Sequence, residues 1–132
     1  METYRGSCHC QAIQFELEVD LSQPGLRCNC SYCAKVRSWA WLVPGSAVRL
    51  TLGEAALASY QFGARRERHH FCSQCGVRVF GRGESASGMA YATVSVTCLD
   101  ALDAATLASL PLRYVDGEND RFDAAPAHTA HL

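Results

Sequence analysis

Seven of the eight cysteines in this chain fall in three tight groups: Cys8 with Cys10, then Cys28 with Cys30 and Cys33, then Cys72 with Cys75. Thiolates one or two residues apart are natural ligands for zinc, which takes four of them in a tetrahedron. The outer pairs, Cys8/Cys10 and Cys72/Cys75, supply four ligands, enough to close a structural site that would tie distant parts of the chain together. Cys28, Cys30 and Cys33 supply three and leave the fourth corner to water or substrate. The expectation is two zincs per chain, one closed and structural, one open and able to react.

Spacing alone leaves alternatives at the three-cysteine group. Cys98, His9, His69 or His70 would close the site as a fourth ligand, and a disulfide among the three would make it a thiol-exchange centre. Cys98 stands alone at the end of an apolar run, where a cysteine is more often a small core residue than a nucleophile. The basic run Arg65, Arg66, Arg68, His69 and His70 reads either as a contact for an anionic substrate or, more commonly for such runs, as a solvated face.

The bulk numbers narrow the setting. The chain has 132 residues, enough for one domain with its own core. Twelve Lys and Arg against thirteen Asp and Glu give a net charge of −1, which predicts no general attraction to nucleic acid or to an anionic membrane. The N-terminal residues Met1 to Gly6 carry no apolar signal core, and no apolar run approaches the ~18 residues of a membrane span. A cytoplasmic, reducing location is expected, in which clustered thiols bind metal rather than form disulfides.

The ligand groups must be positioned by strands. Between Gln11 and Asp20, Ile13, Phe15, Leu17 and Val19 alternate with polar residues, a half-buried strand that follows Cys8 and Cys10 on an extended or gently turned segment. Ser22 to Gly25 reads as a turn, Ala34 to Ser38 as a helical turn, and Trp39 to Val43 as a strand with both tryptophans in the core. Val48, Leu50 and Leu52 mark a further strand, while Ala55 to Tyr60 is ambiguous between helix and strand. Cys72-Ser73-Gln74-Cys75-Gly76 has the form of a zinc knuckle, with the glycine supplying positive φ, and Val77 to Gly81 continues as a strand. Gly83 to Gly88 is a turn and Met89 to Val96 the most apolar strand. Asp100 or Asp103 caps a short helix ending before Pro111, and Leu112 to Val115 is a last strand. The fold class is mainly β with one or two short helices. Residues 1–123 form a single domain and 124–132 a loosely held tail.

Gly6-Ser7-Cys8-His9-Cys10, Cys28-Asn29-Cys30-Ser31-Tyr32-Cys33 and Phe71-Cys72-Ser73-Gln74-Cys75-Gly76, with Val94-Ser95-Val96 leading into Leu99-Asp100, resemble the glutathione-dependent formaldehyde-activating enzyme (GFA) and centromere protein V family. The resemblance runs from about Gly6 to Phe122, with Tyr114-Val115-Asp116-Gly117 as a weaker supporting segment. It implies an Mss4-like fold, or β-tent, of antiparallel sheets stapled by zinc. It also implies that Cys8, Cys10, Cys72 and Cys75 hold the structural zinc and Cys28, Cys30 and Cys33 the catalytic one. The implied activity is that of a carbon–sulfur lyase of the S-(hydroxymethyl)glutathione synthase kind, with a small thiol and an aldehyde as its partners. A fourth thiolate at the open corner would need nearby positive charge, for which Arg65, Arg66 and His69 are the candidates. The competing classes are a non-catalytic zinc module that docks a protein and a thiol redox enzyme using Cys98 or the three-cysteine loop.

Overall fold

In the computed structural model, which describes all 132 residues, the alternating segments become ten strands in two sheets with two short helices. The smaller sheet is centred on β2 (Gln14–Val19), flanked antiparallel by β1 (Glu2–Ser7) and β5 (Val48–Leu52). In β2, Phe15, Leu17 and Val19 are buried while Glu18 is exposed, so the period of two in the sequence is the period of burial.

The larger sheet has seven strands. From one edge they run β10 (Leu112–Val115), β3 (Gly25–Cys28), β4 (Ala40–Pro44), β9 (Ala90–Ser95), β8 (Arg78–Glu84), β7 (Glu67–Cys72) and β6 (Leu57–Tyr60). All neighbours are antiparallel except β10 and β3, which run parallel and set Val115 beside Cys28. Helix α1 (Ser31–Val36) follows β3, and α2 (Ala104–Ser109) precedes β10 with Asp103 capping the backbone N–H of Thr106 at 2.8 Å.

The two sheets close on one core. Ile13, Phe15 and Leu17 meet Trp41, Phe80 and Val94, all buried to 1% exposure or less. Phe15 and Phe80 pack edge to face with centroids 5.5 Å apart.

The pairing of β7 with β8 contains one irregularity. His70 pairs with Phe80 and Phe71 with Arg78, so Val79 is an extra residue in β8. In a regular strand Arg78 and Gly81, three apart, would point to opposite faces. The bulge lets Arg78 share a face with Thr93, to which its Nη2 donates at 2.8 Å, and Thr93 is paired with Gly81.

Several local readings shift. The N-terminal residues, not read as a strand, form β1 against β2. Cys8 and Cys10, read on an extended or gently turned segment, lie in a tight turn: Cys8 N–H donates to the Ile13 carbonyl and Gln11 takes a left-handed φ of 65°. Gly25, read as a turn residue, opens β3. The helical turn begins at Ser31, inside the three-cysteine group, because the Cys30 sulfur accepts from the Cys33 N–H and caps it. The ambiguous Ala55 to Tyr60 divides into a single 3-10 turn, Glu54–Ala56, and strand β6. Trp41 is fully buried and its Nε1 donates to the Gln23 carbonyl, whereas Trp39 is half-buried under Arg27. Gly76 has the positive φ expected of the knuckle, 79°. Residues 124–132 add no helix or strand, though Leu132 is buried.

Because Phe80 fills the junction of both sheets, Phe80→Ala is expected to lower unfolding free energy by about 3–5 kcal/mol. Urea denaturation checks this, and a loss below about 1 kcal/mol would show that the two sheets do not depend on that contact.

Candidate functional site

Two turns from different sheets bring the outer cysteine pairs together. Cys8 and Cys10 come from the β1–β2 turn, and Cys72 and Cys75 from the β7–β8 turn. All four sulfurs lie within 4.8 Å of one another; Cys10 Sγ is 3.7 Å from both Cys8 Sγ and Cys72 Sγ. A zinc with four sulfurs at ~2.3 Å in a tetrahedron requires S···S separations of about 3.8 Å. The donor set therefore fits such an ion. Backbone N–H groups already point at the sulfurs as they would at thiolates: Ile13 to Cys8 at 3.3 Å, and Gln74 and Cys75 to Cys72 at 3.4 Å. The Cys75 thiol is pulled down to about 6, chiefly by the Val77 and Cys10 N–H groups.

The inner group is built on the end of β3 and the start of α1. Cys28 closes the strand, Cys30 caps the helix and Cys33 lies in its first turn, with the three sulfurs within 4.8 Å of one another. Cys30 N–H donates to the Cys28 sulfur and Cys33 N–H to the Cys30 sulfur, each at 3.4 Å. The Cys28 and Cys33 thiols, with the N–H groups of Cys33 and Tyr32, favour the Cys30 thiolate and lower its pKa far below the ordinary range. The same competition pushes Cys33 up. Three thiols crowded this closely behave as a donor set for a cation. No histidine nitrogen, carboxylate or further sulfur joins them within 4.8 Å, so His9, His69, His70 and Cys98 do not complete the group. Cys98 is buried, its Sγ 3.6 Å from the Arg78 carbonyl and its thiol raised to about 11 by burial, as a core cysteine would be.

These sulfurs open into a cleft of about 670 Å³ with apolar walls from Leu26, Leu42, Val43 and Met89. One wall is charged. Glu67 Oε2 accepts from Arg78 Nη2 at 3.2 Å and from Thr93 Oγ1 at 3.1 Å, and lies 3.0 Å from His69 Nδ1, off-line for a hydrogen bond. Burial opposes the Glu67 charge, but His69 and Arg78 outweigh it and hold the carboxyl below its usual range. A Cβ on Gly81 would collide with this carboxylate, so the glycine makes room for it. His69 stacks on Tyr32 of the three-cysteine loop at 3.9 Å.

Arg78 is nine-tenths buried, yet its Nε and Nη1 have no partner. Three of a guanidinium's five N–H donors are thereby left unused beside the cysteines, an arrangement that is costly unless a ligand completes it.

The far wall is the turn after β10. Asp116 accepts from Asn29 Nδ2 and Asn119 Nδ2, both at 2.9 Å, while Asn29 Oδ1 accepts from Glu118 N–H at 2.9 Å. A Cβ on Gly117 would strike the Cys28 sulfur, so only glycine lets this turn approach so closely.

Of the three cationic candidates read from the sequence, His69 lines the cleft, while Arg65 and Arg66 line a different concavity. Arg78 was missed because a bulge, which has no sequence mark, brings it here. Glu67 and Thr93 were missed for a similar reason, since they meet only across paired strands. Asn29 carried a signal, being a polar residue between two ligand cysteines.

Comparison with known proteins agrees with this fold. A crystal structure of a Rhodobacter sphaeroides protein is similar, with a TM-score of 0.70 and 30% identity over 83% of this chain and 99% of that one. The family model described as "Glutathione-dependent formaldehyde-activating enzyme" matches residues 3–110, a span that takes in all seven clustered cysteines and the turns that carry them. The chain therefore belongs to the glutathione-dependent formaldehyde-activating enzyme family.

Proposed function

We propose that this protein is a zinc-dependent enzyme of the carbon–sulfur lyase type, which adds a small thiol such as glutathione to a small aldehyde such as formaldehyde and cleaves the product in reverse. Membership of the family supports the class of chemistry. The observation that carries the reading is the three-sulfur group with no fourth protein ligand, at an apolar cleft whose charged wall has unused donors. On this reading Cys8, Cys10, Cys72 and Cys75 hold a structural zinc, and the protein works in a reducing, cytoplasmic setting.

Cys28, Cys30 and Cys33 would hold the second zinc, which when bound supplies a lowered pKa to an incoming thiol and keeps it as a nucleophilic thiolate. The apolar walls exclude water, and this strengthens every charge interaction inside. As the C–S bond forms, the thiolate lone pair attacks the carbonyl carbon and the carbonyl π pair moves to oxygen. Arg78, with donors to spare, turns to donate to that developing oxyanion, which takes up the proton that the thiol released on ionising and becomes the hydroxyl. Glu67 and Thr93 hold the guanidinium in place, and Arg78 offsets negative charge at the cysteines.

Zinc per chain on anaerobically purified protein, with metal-edge spectroscopy before and after glutathione, tests this directly. Two zincs are expected, one of which gains a sulfur neighbour with thiol; a single zinc, or two that ignore every thiol, would overturn the reading. Arg78→Gln should lower kcat/KM about 100-fold with zinc content unchanged, the size seen when an oxyanion donor is lost. An unaltered rate would remove Arg78 from the mechanism. Cys98→Ser should leave the rate essentially as it was, whereas loss of activity with zinc retained would favour thiol redox chemistry.

A further inference from the structure

The arginine run does not serve the cleft. It lines a second concavity of about 820 Å³ on the neighbouring part of the same sheet, where Arg65, Arg66 and Arg68 are joined by Arg82 of β8. Three features mark it as built rather than merely solvated.

Strand pairing sets Arg68 directly opposite Arg82, a like-charge cross-strand pair that disfavours the sheet when nothing lies between the two. Arg82 is also fixed. It is half-buried, and its Nη1 and Nη2 reach the carbonyl oxygens of Gly45 and Val48 at 3.4 and 3.3 Å. Finally, the loop that presents Arg65 and Arg66 is pinned by Arg65 N–H to the Phe62 carbonyl at 3.0 Å and by Gln61 Nε2 to the Arg65 carbonyl at 3.1 Å. Arg65 itself holds a left-handed φ of 56°, unfavourable for a side chain of its size.

None of the four arginines forms an ion pair, and Glu84 is the one acidic residue on the lining. Four guanidinium groups facing one carboxylate leave an excess of positive charge that a single carboxylate would not balance. Guanidinium forks match the paired oxygens of phosphates and carboxylates. We propose that this concavity is a binding site for a multiply charged oxyanion, the phosphate of a phosphate ester or the carboxylates of a polycarboxylate. Ser85, Ala90 and Tyr91 line both this concavity and the three-cysteine cleft, so an anion seated here borders the cleft. The site does not require the proposed thiol chemistry and stands or falls separately from it.

Titration calorimetry of the zinc-containing protein at low ionic strength, with inorganic phosphate, pyrophosphate and citrate as probes, tests the proposal. At least one probe is expected to bind saturably and more weakly as salt rises. The affinity should fall at least ten-fold in R65S/R68S and also drop in Arg66→Ser, while Arg49→Ser, which removes an exposed arginine paired with Glu16 on the other sheet, should leave it unchanged. Preference for pyrophosphate over citrate assigns the phosphate class, and the reverse assigns the polycarboxylate class. Absence of saturable binding for all three probes, or equal affinity in the folded R65S/R68S protein, overturns the site.

Discussion

Four cysteine sulfurs meet at the junction of the two sheets, where one metal ion would staple the architecture together. Cys8 and Cys10 belong to the turn between β1 and β2, Cys72 and Cys75 to the turn between β7 and β8, and the pairs are separated by more than sixty residues of chain. At 3.7 Å these sulfurs are in contact, and their spacing is that of ligands around one small cation. A metal closing that group would fix the small sheet over the large one. The Phe15–Phe80 contact then lies directly between the two sheets, and β7 and β8 are held where their bulge can act.

That bulge organises the charged wall. A regular β8 would send Arg78 to the core face, where an unpaired guanidinium would be prohibitive. With Val79 as the extra residue, Arg78 joins Glu67, His69 and Thr93 on the face that the cysteine loop covers. Only part of the guanidinium is satisfied there. Leaving buried donors unmatched costs stability in the resting fold, and such costs persist where a ligand is meant to supply the missing partner.

The two faces of positive charge differ in kind. Arg78 is buried and only partly paired, with Nε and Nη1 unpartnered in the wall of the cysteine cleft. Arg65, Arg66 and Arg68 are exposed and unpaired, so their attraction is additive and sensitive to salt, suited to a larger anion. Strand β8 supplies Arg78 to one and Arg82 to the other, β7 and the loop before it supply Arg68, Arg66 and Arg65, and Tyr91 from β9 stands in the wall between them.

The ligand groups and most of the strands were legible in the chain before any fold was known. Cysteine pairs one or two residues apart are local, so their spacing carries its meaning unaided, and the period-two burial of β2 is likewise a local pattern. The capped helix before Pro111 and the positive φ of Gly76 were legible for the same reason. What surrounds the three cysteines was not. Glu67, Arg78 and Thr93 come from three strands, and their meeting depends on register and on one extra residue, neither of which leaves a mark in composition or spacing. The same holds for the existence of β1 and for the approach of Gly117 to Cys28. Each of those facts depends on residues far apart in the chain, and only packing of the two sheets brings them together.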